Sequence, residues 1–295
     1  MTGAERGLLL LCCKLGDAEA KVLTTAQYHA LEGCIRALKR EDENRMLTES
    51  DLRFMGLAPE LADRIMALLD REAQLDAYLA RAARYDVTPV TRASSDYPDT
   101  LEGKLGSSAP PVLFCRGNPR FLRGRFAALV GSRELAQGGR DFAEQVGQAA
   151  AKDGFTLVSG GAHGADRAAQ AACLAAKGNV VVFTPENLCE AQENRQMLFV
   201  SEGGFDEEFS AARALARNRL IHALADLTFV AQCGAGKGGT WRGTSDNLHR
   251  GWSPVFVHDD GSEGAKMLAS LGARPVKEVS SVEALRPRTL TDTDE

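Results

Sequence analysis

Apolar and polar positions change rhythm along this chain near residue 126. Before that point, apolar residues recur at helical spacing, as in Leu61, Ile65, Leu68 and Leu69, then Leu75 and Leu79. Thr48 with Asp51 forms a capping-box pattern ahead of Leu52, Phe54 and Met55, and Pro59 fits the first turn of the next helix. These features predict a small helical domain over residues 1–85, joined by short turns. Its plain role is packing or dimerisation, and no residue in it suggests chemistry. Over residues 86–118 the texture turns extended. Val87, Pro89 and Val90 suggest a stretched segment, and Tyr97-Pro98 and Pro110-Pro111 forbid continuous helix. Val112, Leu113 and Phe114 read as a short strand. Residues 86–125 are read as an ordered connector.

After Phe126, short apolar runs alternate with amphipathic stretches. Strands are expected at 127–130, 155–158, 180–183, 198–200, 227–230 and 255–257. Helices are expected at 141–151, 165–176, 209–224, beyond Gly239 and at 264–271. This alternation predicts an α/β domain over residues 126–280, Rossmann-like, with a mostly parallel sheet and helices on both faces. The small helical domain precedes it, and a polar tail over 281–295 follows it. Right-handed crossovers would bring every strand-to-helix loop to one edge of the sheet, where ligands bind.

Composition narrows the class of protein. A chain of 295 residues with 44% apolar content suits two domains with a sizeable core. No apolar run is long enough to cross a bilayer, and the run from Leu8 to Cys13 is too short for a signal-peptide core. A cytoplasmic protein without a membrane partner is expected. The seven cysteines form no CxxC pair and have no histidine at zinc-ligand spacing, so they read as buried structural thiols, with no metal. The net charge of −5, from 35 basic and 40 acidic residues, argues against coating nucleic acid through global charge. It leaves room for a local basic groove.

Three loops at the predicted carboxyl edge concentrate unusual residues. The first is Val130-Gly131-Ser132-Arg133. The second runs Ser159-Gly160-Gly161-Ala162-His163-Gly164-Ala165-Asp166. The third spans 234–240 and includes Lys237, Gly238, Gly239 and Thr240. Glycine lets backbone approach a ligand, and N–H groups at a helix start attract anions. Ser132, Ser159 and Thr240 add hydroxyls, while Arg133 and Lys237 add charge. Together they predict a phosphate cradle. There is no GxGxxG opening the first helix, and Gly160 stands where an acidic residue would close the second strand, which argues against NAD. Lys237 is followed by two glycines, which does not match a P-loop. No cofactor is expected. A fourth feature, Arg217-Asn218-Arg219, sits near the end of an otherwise apolar helix. Its two arginines point in different directions, so one could face the cradle while the other pairs with a nearby acid.

Taken in order, VGSR at 130–133, SGGAHGAD at 159–166, RNR at 217–219 and GGT at 238–240 resemble the DprA/Smf DNA-processing family. That family's Rossmann-like domain belongs to the wider SLOG group. Tyr97-Pro98, Leu101 and Pro111-Val112-Leu113 resemble the segment before the family's first strand, and the likeness covers roughly residues 90–275. The resemblance implies single-stranded DNA binding and delivery of the strand to a RecA-type recombinase during transformation or recombination. A homodimer is a further expectation for this chain. By matching motif the resemblance implies that Ser132, Arg133, Ser159, Gly160, Gly161, Arg219, Gly239 and Thr240 contact backbone phosphate, with Asn218 bracing loops. With Gly131, His163, Asp166, Arg217, Lys237 and Gly238, these make up the candidate set. Backbone N–H, hydroxyl and guanidinium groups suit a phosphate chain and carry no sequence code.

The chain departs from the family pattern at Gln170, where a histidine is usual, and in its third loop, GAGKGGTWRGT, which brings Trp241. No winged-helix domain is expected ahead of the acidic tail. These departures bear on recombinase loading more than on the fold. Two other functions compete. One is a sensor of a nucleotide-derived ligand. The other is a LOG-like nucleotide phosphoribohydrolase, which needs a carboxylate three residues after the loop threonine, where this chain has Gly243. Asp246 is nearly one turn further, Asp166 suits capping, and Glu202 is the remaining carboxylate able to reach the edge. No catalytic set is assigned, and His163 reads as a loop-bracing donor.

Overall fold

The computed structural model describes residues 1–38, 45–192 and 194–287. The chain forms two compact units, Met1–Arg120 with Glu186–Gln192 and Phe199–Phe209, and Phe121–Pro185 with Glu193–Leu198 and Ser210–Glu295.

The first unit opens with five helices, α1 Gly3–Cys12, α2 Thr25–Ala37, α3 Glu49–Phe54, α4 Pro59–Leu69 and α5 Glu72–Ala83. The capping box expected at Thr48 is present: Thr48 Oγ1 accepts the Asp51 N–H at 3.3 Å. Pro59 occupies the first turn of α4, where its missing N–H costs nothing. The segment beyond α5 holds β1 Val87–Thr91, α6 Asp99–Leu105 and β2 Val112–Arg116. β1 and β2 pair antiparallel, Val87 opposite Arg116. β2 also pairs antiparallel with a later strand, β6 Met197–Glu202, through Phe199–Glu202. Leu9, Leu10, Leu52, Ile65 and Leu75 are fully buried in one apolar cluster. Tyr78, Phe114 and Phe205 join it as a ring triad, the closest centroids 4.6 Å apart. Tyr78 keeps its hydroxyl satisfied by donating to Asp206 at 2.8 Å.

The second unit alternates β3 Phe126–Val130, α7 Gln137–Lys152, β4 Thr156–Ser159, α8 Ala165–Ala175 and β5 Val180–Phe183. After β6 come α9 Ala211–Ala216, α10 Asn218–Leu224, β7 Leu227–Val230, α11 Gly238–Arg250, β8 Val255–His258, α12 Glu263–Ser270 and β9 Arg274–Val276. Every residue of β3, β5 and β7 is buried, as expected for parallel strands covered on both faces. The strand order is β5-β4-β3-β7-β8-β9, and the β3–β4, β4–β5, β3–β7, β7–β8 and β8–β9 pairs are all parallel. The chain therefore winds outward from β3 through β4 to β5, then returns to the other flank of β3 and winds outward again. That reversal places α7 and α8 on one face and α10 and α11 on the other, with a topological switch point between β3 and β7.

Two local features sharpen this picture. α7 and α8 touch through Gly147, where any side chain would overlap the Ala169 backbone, so only glycine allows this approach. The single helix expected over 209–224 is broken: α9 and α10 meet at Arg217, Ser210 caps the first of them, and Leu215 stays 44% exposed. Leu215 leaves the apolar face of α10, Leu220 to Leu224, to make the core. Of the tail expected over 281–295, residues 288–295 lie outside the described residues. Ser281, Val282 and Glu283 are held by the Asp153 carboxylate, which accepts from all three at 2.7–3.0 Å.

Candidate functional site

All three glycine loops leave adjacent strands, because β4, β3 and β7 are neighbours in the sheet. They meet at its carboxyl edge, around the switch point. Hydrogen bonds tie them to one another. The Ser132 N–H donates to the Gln232 carbonyl at 2.9 Å, and the Ala165 N–H donates to the Ser132 carbonyl at 3.1 Å. The Thr240 hydroxyl donates to the Gly131 carbonyl at 3.0 Å, linking the start of α11 to the end of β3. At Gly131 and Gly164, a Cβ would collide with Ala165 and with the backbone of Ser132 and Arg133. Gly164 also needs its positive φ of 82°.

The second loop folds around Asp166. This carboxylate is buried, and its Oδ2 accepts the N–H groups of Gly160 at 3.0 Å and Ala162 at 3.2 Å. Burial raises its pKa to about 6, against the opposing pull of Arg217 and the two N–H donors. The Gly160 and Ala162 donors thus face inward, while the N–H groups of Gly161 and His163 have no hydrogen bond among the described residues. Ser159 is fully buried, and its hydroxyl accepts from Gln170 Nε2 at 2.6 Å. That bond places both Ser159 and Gln170 inside the framework of the loop.

The Arg217-Asn218-Arg219 triplet sits at the junction of α9 and α10, in the middle of the helical segment. The Arg217 guanidinium lies against Gly160, where a Cβ would overlap it, and its charge opposes the raised pKa of Asp166. Asn218 Nδ2 donates to the Gly239 carbonyl at 3.3 Å, and Arg219 Nη1 donates to the Ala216 carbonyl at 2.8 Å. The junction thus touches the second loop through Arg217 and the third through Asn218.

Arg133, His163, Lys237 and Gly238 are exposed, and Ser132, Gly239 and Thr240 are half-buried. The guanidinium of Arg133 and the ammonium of Lys237 carry no hydrogen bond or ion pair among the described residues. The first turn of α11, Gly238 to Thr240, presents N–H groups without partners inside the helix. This edge offers free cations and a helix start to an anion.

A buried polar chain beneath α11 carried no sequence signal. His222 Nδ1 lies 3.4 Å from Thr228 Oγ1. Thr228 shares a hydrogen bond of 2.7 Å with Ser253, and Asn247 Nδ2 donates to Ser253 Oγ at 3.1 Å. Burial, aided by Arg217, lowers the His222 pKa to about 3, so the ring is neutral. Gly243 backs onto this histidine: a Cβ there would stand 3.1 Å from its Nε2 and 3.2 Å from Asn218 Cβ. Among the described residues no group of three or more His, Cys, Asp or Glu could hold a metal. No described helix is long and apolar enough to cross a membrane. The buried thiols of Cys13, Cys115, Cys173 and Cys233 are all pushed up by burial.

A parallel sheet wound both ways from a central strand, with its glycine loops gathered at the switch point, is a Rossmann-like α/β architecture. The family described as DNA recombination-mediator protein A matches residues 88–285, well over half of the chain, and the chain belongs to that family. It is 25% identical to the DNA processing protein DprA of Bacillus subtilis over 218 residues, 69% of this chain and 72% of that one. It is 31% identical to protein Smf of Synechocystis over 157 residues, 48% of this chain and 39% of the longer relative. Among solved structures, DNA processing protein A of Streptococcus pneumoniae superposes with a TM-score of 0.69 at 23% identity, covering 90% of this chain and 99% of that one. The Helicobacter pylori protein, described for its single-stranded DNA binding mode, gives 0.55 at 23% identity, covering 65% and 92%. These structural likenesses show a shared fold.

Proposed function

We propose that the loop cluster at the switch point binds the phosphate backbone of single-stranded DNA, and that the protein works in DNA processing by binding rather than turnover. The observation that carries this reading is the convergence of three loops from adjacent strands on one edge that presents the free cations Arg133 and Lys237. That edge recognises charge spacing without reading bases, as a phosphate chain requires. The Helicobacter pylori relative's single-stranded DNA binding agrees with it. Gly131, Ser132, Arg133, Gly161, His163, Lys237, Gly238, Gly239 and Thr240 are the groups proposed to meet phosphate. Ser159, Gly160, Asp166, Arg217 and Asn218 are proposed to hold the loops in shape, and Arg219 to add charge beside them. A RecA-type recombinase and a second copy of the chain are the protein partners this reading implies.

Fluorescence anisotropy with a labelled single-stranded oligonucleotide, titrated at several salt concentrations beside mononucleotides, tests the proposal. The oligonucleotide should bind far more tightly, with an affinity that falls steeply with salt. Arg133→Ala should weaken it and make the salt slope shallower by about 0.7, one single-strand phosphate contact. Tight mononucleotide binding with exclusion of the oligonucleotide would instead establish a nucleotide sensor. Retention of a recombinase on DNA-bound protein checks that partner, and sedimentation checks the dimer.

A further inference from the structure

We propose that the groove between α7 and α8 is a second phosphate-binding surface, which continues the path of a single strand beyond the loop cluster. The inference rests on the reading of that cluster as the DNA site. The groove is lined by Arg140, Glu144 and Gln148 from α7 and by Arg167, Ala168 and Ala171 from α8. His163 and Gly164 close one end, and both belong to the second loop, so the groove begins where the cluster stops.

The helices explain its shape. Arg140, Glu144 and Gln148 are four residues apart and share one face of α7, a row about 12 Å long at 1.5 Å per residue. Gly147 lets the two helices close in, and the alanines of α8 leave a shallow floor without bulky side chains. A floor of that kind admits an extended chain lying along the helices.

The charges explain its preference. Arg140 and Arg167 are exposed and stand in the first turns of α7 and α8, beside helix starts that favour anions. Neither guanidinium has a hydrogen bond or ion pair among the described residues, although Glu144 lies in the same groove. Asp141, the other acid nearby on α7, accepts from Gln137 Nε2 at 2.7 Å. Asp141 lies outside the groove lining, where two arginines without protein partners stand against the single carboxylate of Glu144, so the lining is net positive in a chain with a net charge of −5. Guanidinium groups without protein partners suit phosphate oxygens, and His163 adds a ring donor at the joint between groove and loops.

The test compares Arg140→Ala/Arg167→Ala with the unaltered protein on two oligothymidylates, one of about six nucleotides and one of about twenty. The short strand should bind both proteins alike, because it fills only the loop cluster. The long strand should bind the double variant about tenfold more weakly, with a salt slope shallower by about 1.4 for two lost contacts. Thermal melting of the variant should be unchanged, since both side chains lie at the surface. Equal affinity of the two proteins for the long strand overturns the groove, as does an equal loss on both lengths. Arg133→Ala separates the two readings. If it weakens both oligonucleotides while the groove variant weakens neither, the loop site stands and the groove falls. If the unaltered protein binds neither strand, the loop site fails and takes the groove with it.

Discussion

Replacing Asp166 by asparagine tests the internal architecture of the second loop. Asp166 is 5% exposed, and its Oδ2 holds the Gly160 and Ala162 N–H groups. Its pKa in the folded protein is about 6, against an ordinary 3.8, because burial penalises the charge more than Arg217 and the two donors favour it. Between those two values the folded state binds more protons than the unfolded chain. The contribution of Asp166 therefore stabilises fully below about pH 4 and is lost as pH rises towards 6. At about 1.4 kcal/mol per pH unit the loss is about 3 kcal/mol. Asparagine keeps an acceptor oxygen for the two N–H groups and carries no charge. Asp166→Asn should therefore be more stable than the parent at pH 8, by about 1–3 kcal/mol, and no more stable at pH 4. Asp166→Ala removes the acceptor as well, leaving two donors unsatisfied at about 1–3 kcal/mol each. Urea unfolding followed by circular dichroism across pH 4 to 8 supplies the difference curves. Taking differences cancels carboxylates such as Asp51 and Asp153, whose lowered pKa values act with the opposite sign. A difference independent of pH, or an asparagine variant less stable at pH 8, would refute the account.

Four further outcomes follow from the same geometry. Gly239→Asp has room, since its Cβ would meet Asn218 and Leu215 at 3.7 Å, and an acid in the first turn suits α11. It should leave melting unchanged while weakening DNA binding about ten- to a hundredfold by charge repulsion; normal DNA binding would remove the third loop from the site. Thr240→Ala should cost about 1 kcal/mol of stability through its lost bond to Gly131, readable as a lowered urea midpoint. Gly147→Ala should cost about 1–3 kcal/mol by forcing α7 from α8, and an unchanged midpoint would contradict the close packing. Incubation with nucleoside monophosphates should release no free base above buffer, because position 243 has no carboxylate and backs onto His222. Release abolished by Glu202→Gln would make the protein a hydrolase.

The sequence by itself determined the alternation of strands and helices, because parallel strands buried on both faces, such as Phe126–Val130, read as unbroken apolar runs whatever surrounds them. It also determined which loops carry glycine, hydroxyl and charge, since these are local facts of composition. The pairing of partners far apart in the chain belonged to the tertiary structure. Val130 beside Val230 and Ala128 beside Val158 make β4, β3 and β7 neighbours, and that adjacency is what gathers the three loops. The direction of each polar group was likewise decided by packing. Ser159 turns inward to Gln170, Asp166 folds back under its own loop, and Arg217 lies on Gly160 because the chain breaks there between α9 and α10. The chain from His222 to Asn247 was invisible in one dimension, since its members matter only through hydrogen bonds closed in the core. Spacing along a helix or strand fixes which face a residue takes. What that face meets is set by contacts closed across tens of residues, and a linear pattern does not encode them.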